Sequence, residues 1–413
     1  MQSTDLVPRE SACGEDIRVW RGWRPGEFQV HFIYTGVAES QFMVFPDGTS
    51  MLLDCGDHPA HARGDYSVPL MPSSARHSGE WIARYVKRVN PCGNYVDYML
   101  LSHFHSDHGG CNLWHAGVAE GRPTPYFLSG FAHAAEWLHF GTAIDRGWPD
   151  YADPVPLGDD EQDGLLRNMK GLYAYLKERD GLKVEKFRLG ACDQIVMRRS
   201  AERYNPGFGT FNFAANGRIC SPATHEVRDL YAAVVADGAR GLNENAMSLG
   251  TLFTYGKFSY FTAGDFSDVI RLADGSEHFI EDDLAAIMPR VDVAKINHHG
   301  YHTMVPALAD ALDARCYVSC VWDQWHCTDD TMANLEASGT RGHLFFPGYI
   351  PTLFIGRDGG EPRPWMRKCP DAAWKGMHTV LTVLPGGDRY TMTCLSAADE
   401  EMRVVAEYAF EAG

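Results

Sequence analysis

The chain has 413 residues, of which 45% are hydrophobic, and a formal net charge of −17. That is ample for a large core and long for one domain of ordinary size. The acidic balance argues against non-specific binding of duplex DNA, where affinity comes largely from Lys and Arg at phosphates.

The N-terminus, MQSTDLVPRESACGEDIRVW, lacks the apolar stretch of a signal peptide, and no apolar run is long enough to span a bilayer. A cytoplasmic chain with no membrane partner is expected. The 11 Cys are odd in number and scattered, some inside apolar runs (Cys316, Cys320, Cys394), as reduced buried thiols would be. Cys316, Cys320 and Cys327 lack the spacing of a zinc ribbon.

Residues 1–27 read as an irregular lead-in. FQVHFIYTG, from Phe28, alternates like a strand, and QFMVFPDGTSMLLDCGD reads as a hairpin around Pro46-Asp47-Gly48 that ends at Asp54. Gly79 to Val89 has helical periodicity, with Trp81, Ile82, Tyr85 and Val86 on one face and Ser78 as its N-cap.

Next comes YVDYMLLSHFHSDHGG, residues 95–110. A mostly apolar run, Val96 to Leu101, leads straight into His103, His105, Asp107 and His108. A strand fixes position, and the loop at its C-terminal end holds reactive groups. His103 and His105, two apart, point the same way on extended backbone. Gly109 and Gly110 allow a sharp bend beneath them. Three imidazoles and one carboxylate in so short a stretch is ligand density for a transition metal.

From about 112 to 240 the sequence is less marked. Phe131–Gly141 and Gln162–Glu178 read as helices, with a Pro-, Gly- and acid-rich loop between them. Trp137, Trp148, Tyr151, Tyr173 and Tyr175 read as packing residues, with a lid or substrate wall as the alternative. MSLGTLFTYGKFSYFTAGD, residues 247–265, is a β-rich hairpin that ends in Asp265. A helix over 281–288 and a buried strand over 291–296 lead to His298, His299, Gly300 and His302. A helix over 305–312 and a strand over 315–322 lead to His326. A helix over 331–338 and a broken strand over 341–357 follow. Three alternating runs in 375–413 suggest an edge meander.

HFHSDH after an apolar strand resembles the H-x-H-x-D-H signature of the metallo-β-lactamase superfamily. The resemblance implies a four-layer αββα sandwich with a metal site at one edge of two packed sheets. More narrowly, the chain is similar to the metallo-β-lactamase domain of ComEC-type competence proteins. The similar features are the hairpin ending Asp54-Cys55-Gly56, the Ser-Leu…Tyr-Gly…Gly-Asp hairpin and the His-His-Gly turn. Tyr301 stands where that group has Ser, and Cys327 follows His326 where the group has Pro.

That resemblance implies two divalent transition-metal ions, Zn with Mn as the alternative. One ion would take His103 and His105, the other Asp107 and His108, with Asp265 bridging. His326 would complete the second ion. His298 or His299 would add a ligand or donate a proton to a leaving group. Asp107 and His299 are the expected catalytic residues, and Asp54 would support the metal loop. No third His for the first ion is evident: His225 lacks a matching context, and Asn243 and Asn245 stand just before the Ser-Leu hairpin. One metallo-β-lactamase-like domain is expected over 1–360, with a helical insertion at about 112–240 and a C-terminal β extension over 361–413.

The reaction implied is hydrolysis by a metal-bound hydroxide. A phosphodiester is the first substrate class, and a lactone or β-lactam carbonyl the second. A catalytically silent metal-binding module is the alternative from another class. The sequence names neither the small-molecule or phosphodiester substrate nor the oligomer.

Overall fold

Short apolar runs separated by Gly and Pro turns build two large sheets. The computed structural model describes residues 18–58, 68, 70–110, 118–119, 122–158, 161–204, 207–236, 242–321, 326–350 and 362–413.

The first sheet has nine strands. Their order is Val404–Glu411, Arg389–Ser396, Met377–Val383, Phe28–Phe32, Ser40–Val44, Ser50–Cys55, Tyr95–Leu100, His139–Asp145 and Lys183–Lys186. The second has eight. Their order is Val227–Asp229, Arg218–Cys220, Phe208–Ala215, Gly250–Tyr255, Phe258–Thr262, Val293–Lys295, Cys316–Val318 and Leu344–Phe346. Each sheet is antiparallel at one end and parallel from Ser50–Cys55 or Phe258–Thr262 onward. Parallel neighbours need crossovers. Helices Ser78–Val89, Glu161–Asp180, Pro306–Leu312 and Asp329–Ala337 lie within such crossovers.

The sheets meet face to face through aromatic side chains. Phe28 and Phe45 of the first lie 5.2 Å and 4.9 Å, ring to ring, from Phe208 of the second. Phe28 also stacks on Phe253 at 5.7 Å. Burying each such ring contributes about 1.5–3 kcal/mol. On the outer face of the first sheet, Ile82 and Val86 pack with Val96, Met99, Phe131, Phe140 and Leu165. Ile280, Leu284, Leu308, Leu312 and Leu335 of the helices around the second sheet are buried too. The result is a four-layer αββα sandwich.

Most elements fall where the sequence reading expects them; three details differ. Ser78 is the first residue of its helix rather than the N-cap, which is His77, and its hydroxyl donates to the Gly56 carbonyl at 2.9 Å. The helix expected over 131–141 stops at Ala134, and His139–Asp145 is a buried parallel strand. Its apolar residues serve both faces of an interior strand, so no alternation marks it. Finally, the 112–240 stretch carries helix Glu161–Asp180 but also supplies strands to both sheets. Met377–Val383, Arg389–Ser396 and Val404–Glu411 form the meander at the edge of the first sheet.

Candidate metal centre

The parallel strands of both sheets end on one rim, where open α/β sheets present their chemistry. Tyr95–Leu100 feeds the His103–His108 loop, Phe258–Thr262 feeds Asp265, and Val293–Lys295 feeds His298 and His299. The loops interlock closely. Glu39 N–H donates to the Asp107 carbonyl at 2.9 Å, and Asp57 N–H to that of Ser106 at 2.9 Å. A Cβ on Gly56 would lie 1.8 Å from the Asp107 carbonyl oxygen, so only glycine fits between the strand end and the metal loop.

Two groups of donor atoms share Asp265. His103, His105 and Asp265 form one, and Glu39, His108, Asp265 and His299 the other; within each group the atoms lie within 4.8 Å of one another. His103 Nε2 is 3.0 Å from His105 Nδ1 and 3.9 Å from Asp265 Oδ2. His108 Nε2 and His299 Nε2 are 3.2 Å apart, and lie 3.1 Å and 3.3 Å from that same oxygen. Asp107 Oδ2 is 3.2 Å from His299 Nε2 and 3.9 Å from His108 Nε2.

The far nitrogens of both rings face carboxylates. His108 Nδ1 is 2.7 Å from Asp54 Oδ2, and His299 Nδ1 is 3.4 Å from Glu39 Oε2. A carboxylate behind Nδ1 fixes the tautomer and turns Nε2 toward a metal. Asp54 also accepts from Ser102 N–H at 2.8 Å and Ser102 Oγ at 2.7 Å. Lys295, fully buried, donates to the Gly264 carbonyl at 2.6 Å and lies 2.8 Å from Glu39 Oε2 and 3.4 Å from Asp265 Oδ1.

This pocket attracts positive charge. Burial would lower the His299 pKa, but Asp265 and Asp107 outweigh it and raise it to about 9. His108 goes the same way: burial opposes its charge, and Asp265, Asp54 and Asp107 hold its pKa well above the usual value. Burial would raise Asp265, yet His108, His299 and Lys295 hold it well below the usual carboxylate range. Asp54, unlike Asp265, is raised above the usual carboxylate value, by burial acting against His108. Two imidazole nitrogens facing each other across one carboxylate oxygen, backed by two more carboxylates, form a donor set that fits a divalent cation.

The turn carrying His298 and His299 is held under backbone strain. His298, His299, His302 and Met304 have φ of 47°, 50°, 47° and 55°. Such conformations persist only where the surroundings over-determine them, and they cluster at functional sites. Here the surroundings are centred on Glu281, a buried carboxylate on helix Ile280–Ala285. It accepts from Asn297 Nδ2 at 2.8 Å, Thr303 Oγ1 at 2.7 Å and Val305 N–H at 3.0 Å. Across the site, Glu244 Oε1 accepts Phe104 N–H at 3.0 Å, between His103 and His105. Arg146 clamps both Glu244 oxygens at 2.7 Å. Tyr151 packs on Phe104, ring to ring at 5.6 Å, so this aromatic from the 112–240 stretch is a packing residue of the metal loop.

Of the residues singled out from sequence, His103, His105, Asp107, His108, Asp265 and His299 converge. His326, buried, has its ring 5.4 Å from that of His299 and belongs to neither donor group. His298 turns aside: its ring is 6.4 Å from that of His299, and its Nε2 is 3.2 Å from Asn245 Nδ2. Burial lowers the His298 pKa to about 4. Asn243 is engaged in its own turn, accepting Ala246 N–H at 3.0 Å. His225 packs against Phe211 and joins neither group.

Sequence reasoning passed over Glu39, Lys295, Glu281 and Glu244. Lys295 had a signal, a lysine at the end of the buried strand run VAKI, since a buried lysine requires an anionic partner. Glu39 had none; its role depends on a contact with His299, 260 residues later in the chain.

No protein-family model matches the chain, and no curated protein does. Among solved structures it is similar to Zn(2+)-bound PqqB from Methylobacterium extorquens, at 15% sequence identity, over 75% of this chain and 86% of that one, with a TM-score of 0.33. No helix among the described residues is long and apolar enough to cross a membrane.

Proposed function

We propose that this chain is a metal-dependent hydrolase with two divalent ions, Zn or Mn, and that its substrate is a phosphodiester. One observation carries the metal reading. Donors from separate strand ends of two sheets meet around Asp265 Oδ2, and both inward-facing imidazoles have a carboxylate behind them. In this assignment His103 and His105 hold the first ion, Asp107, His108 and His299 the second, and Asp265 both. Bound ions of this kind supply a water acidic enough to ionise near neutral pH and a clamp for attacking and leaving oxygens.

The remaining roles belong to the protein. Asp54 and Glu39 orient His108 and His299. Lys295 compensates the buried charge of Glu39 and Asp265. Asp107, the least buried carboxylate of the cluster, is assigned to orient the attacking water; burial would raise its pKa, but His108 and His299 hold it well below the usual carboxylate range, so it acts as an ionised acceptor of hydrogen bonds. His326, next to His299 but outside the donor groups, is assigned to the leaving-group side as a proton donor. This exchanges the roles that motif position alone suggests for the two residues. His299→Ala is expected to lose an ion, and His326→Ala to keep both and lose turnover.

The choice of a phosphodiester rests on the ComEC-type sequence resemblance. A lactone or β-lactam carbonyl is the second reading, because the same donor set serves either electrophile. The test is metal-loaded protein assayed in parallel with bis-p-nitrophenyl phosphate, a lactone and nitrocefin. Turnover of the phosphodiester alone is the expected result. Turnover of only a carbonyl substrate overturns the substrate assignment, and a fully loaded protein inert to all three overturns the enzyme reading.

A further inference from the structure

The two halves of the site are unequal. His108, His299 and Asp265 are joined by Glu39 and closely approached by Asp107, whereas His103 and His105 have only Asp265. The first half is short of a donor, and no other His, Cys, Asp or Glu among the described residues joins it.

Asn245 stands in the segment that adjoins this half-site through Glu244, Ser248 and Leu249. It is 8% exposed, and its side-chain Oδ1, fully buried, has no hydrogen-bond partner among the described residues. An orphaned buried carbonyl costs roughly 1–3 kcal/mol unless something accepts its lone pairs. Its amide Nδ2 is already committed, 3.2 Å from His298 Nε2, which directs Oδ1 elsewhere. The chain on both sides is pinned to the first half-site. Glu244 Oε1 receives Phe104 N–H at 3.0 Å, Ser248 Oγ receives Asp265 N–H at 3.1 Å, and Leu249 N–H donates to the Ser102 carbonyl at 3.0 Å. Segment 244–249 therefore runs along Ser102–His105 and Asp265, with Asn245 inside it.

We propose that Asn245 Oδ1 is the missing oxygen ligand of the first half-site, and that it biases this ion toward a harder metal than zinc, with Mn2+ the expected occupant. A neutral amide oxygen in place of an imidazole nitrogen weakens the set for Zn2+ and suits Mn2+ or Mg2+. The inference rests on the two-metal reading.

The experiment titrates chelator-stripped full-length protein with Zn2+ and with Mn2+. Bound metal is read by elemental analysis after gel filtration, and the Mn2+ environment by its electron paramagnetic resonance spectrum. Wild type is expected to bind two equivalents, the weaker of which favours Mn2+. Asn245→Ala should weaken that equivalent by about tenfold or more and leave the tighter one unchanged. Asn245→Asp, which keeps an oxygen in place, should bind the weaker ion at least as well as wild type. Asn245→His should shift its preference toward Zn2+. If Asn245→Ala binds both ions as wild type does, the proposal is overturned. It is equally overturned if Asn245→Asp binds the weaker ion no better than Asn245→Ala; this comparison also decides the case in which Asn245→Ala loses both. Wild-type protein that takes up neither metal overturns the two-metal reading itself.

Discussion

Two groups of buried histidines lie against the nine-stranded sheet, and burial acts on both, but their charges diverge. At the rim, His299 is surrounded by Asp107, Asp265 and Glu39, and its pKa rises to about 9. Under helix Ser78–Val89, the hydrogen-bond partners of His31 among the described residues are neutral: Tyr85 Oη at 3.1 Å and Gln29 Oε1 at 3.3 Å. His378 Nδ1 accepts Tyr34 N–H at 3.0 Å, and its ring packs 4.7 Å from that of Tyr85. Burial pushes both pKa values to about 3, with smaller contributions from His378 on His31 and from Arg88 on His378. A buried imidazole is thus made ready for a cation by the carboxylates that face it, and by burial alone it is simply a neutral core residue.

The sharpest way to break this contrast is to remove the shared carboxylate. Asp265→Asn keeps the size and loses the charge that both donor groups share. Metal affinity is expected to fall by more than the about 10–100-fold typical of a change behind a ligand, and elemental analysis should show less than one ion per chain. His31→Gln, in the other group, should retain the wild-type complement. An Asp265→Asn protein that keeps two ions would remove the basis for treating the groups differently.

Acid should act next most strongly, and through the other group. The folded pKa values of His31 and His378 lie below the ordinary 6.5, so the unfolded chain takes up these protons first. Their contribution is complete above about pH 6.5 and is lost as pH falls from there toward about 3. At roughly 1.4 kcal/mol per pH unit for each ring, about 4 kcal/mol should be gone by about pH 5. Denaturant unfolding of metal-free protein at about pH 7.5 and pH 5 measures this. A His31→Gln, His378→Gln double variant should lose much less over that interval. Equal losses in the two proteins would assign acid sensitivity to other groups.

This contrast also explains what could be read from the sequence. The rim is legible where its residues are neighbours: His103 to His108 crowd into one loop, and Asp265 and His299 each follow a hydrophobic strand. Strand periodicity similarly revealed most of both sheets. Glu39 and Glu281 could not be read, because their partners His299 and Thr303 lie far along the chain and only folding brings them together. His31 and His378 are invisible for the same reason. Strand His139–Asp145 was missed because an interior parallel strand carries no alternation.

A smaller effect is expected from the carboxylates behind the rings. Glu39→Gln and Asp54→Asn should each weaken metal binding by about 10–100-fold without abolishing it, measured by competition with a chromophoric chelator. The Asp54 change tests His108 and the Glu39 change tests His299. If Glu39→Gln leaves affinity unchanged while Asp54→Asn lowers it, the 3.4 Å contact between Glu39 and His299 does not orient that ring.

The finest comparison removes one hydroxyl from each group. Ser102 Oγ donates to Asp54 Oδ2 at 2.7 Å and lies 3.3 Å from His108 Nδ1 and 3.1 Å from His103 Nδ1, and Tyr85 Oη lies 3.1 Å from His31 Nδ1. Each bond contributes on the order of 1 kcal/mol, but the consequences should appear in different measurements. In Ser102→Ala the backbone N–H of residue 102 still reaches Asp54 Oδ1, so the loop stays in place. What weakens is the support of Asp54 for the His108 ring, and metal affinity should drop by roughly fivefold. In Tyr85→Phe the buried His31 nitrogen loses its partner, so the fold should lose about 1 kcal/mol while metal affinity stays at the wild-type value. If Tyr85→Phe lowers metal affinity as much as Ser102→Ala does, the two histidine groups are coupled through the sheet, and the separation argued from their opposite charge states fails.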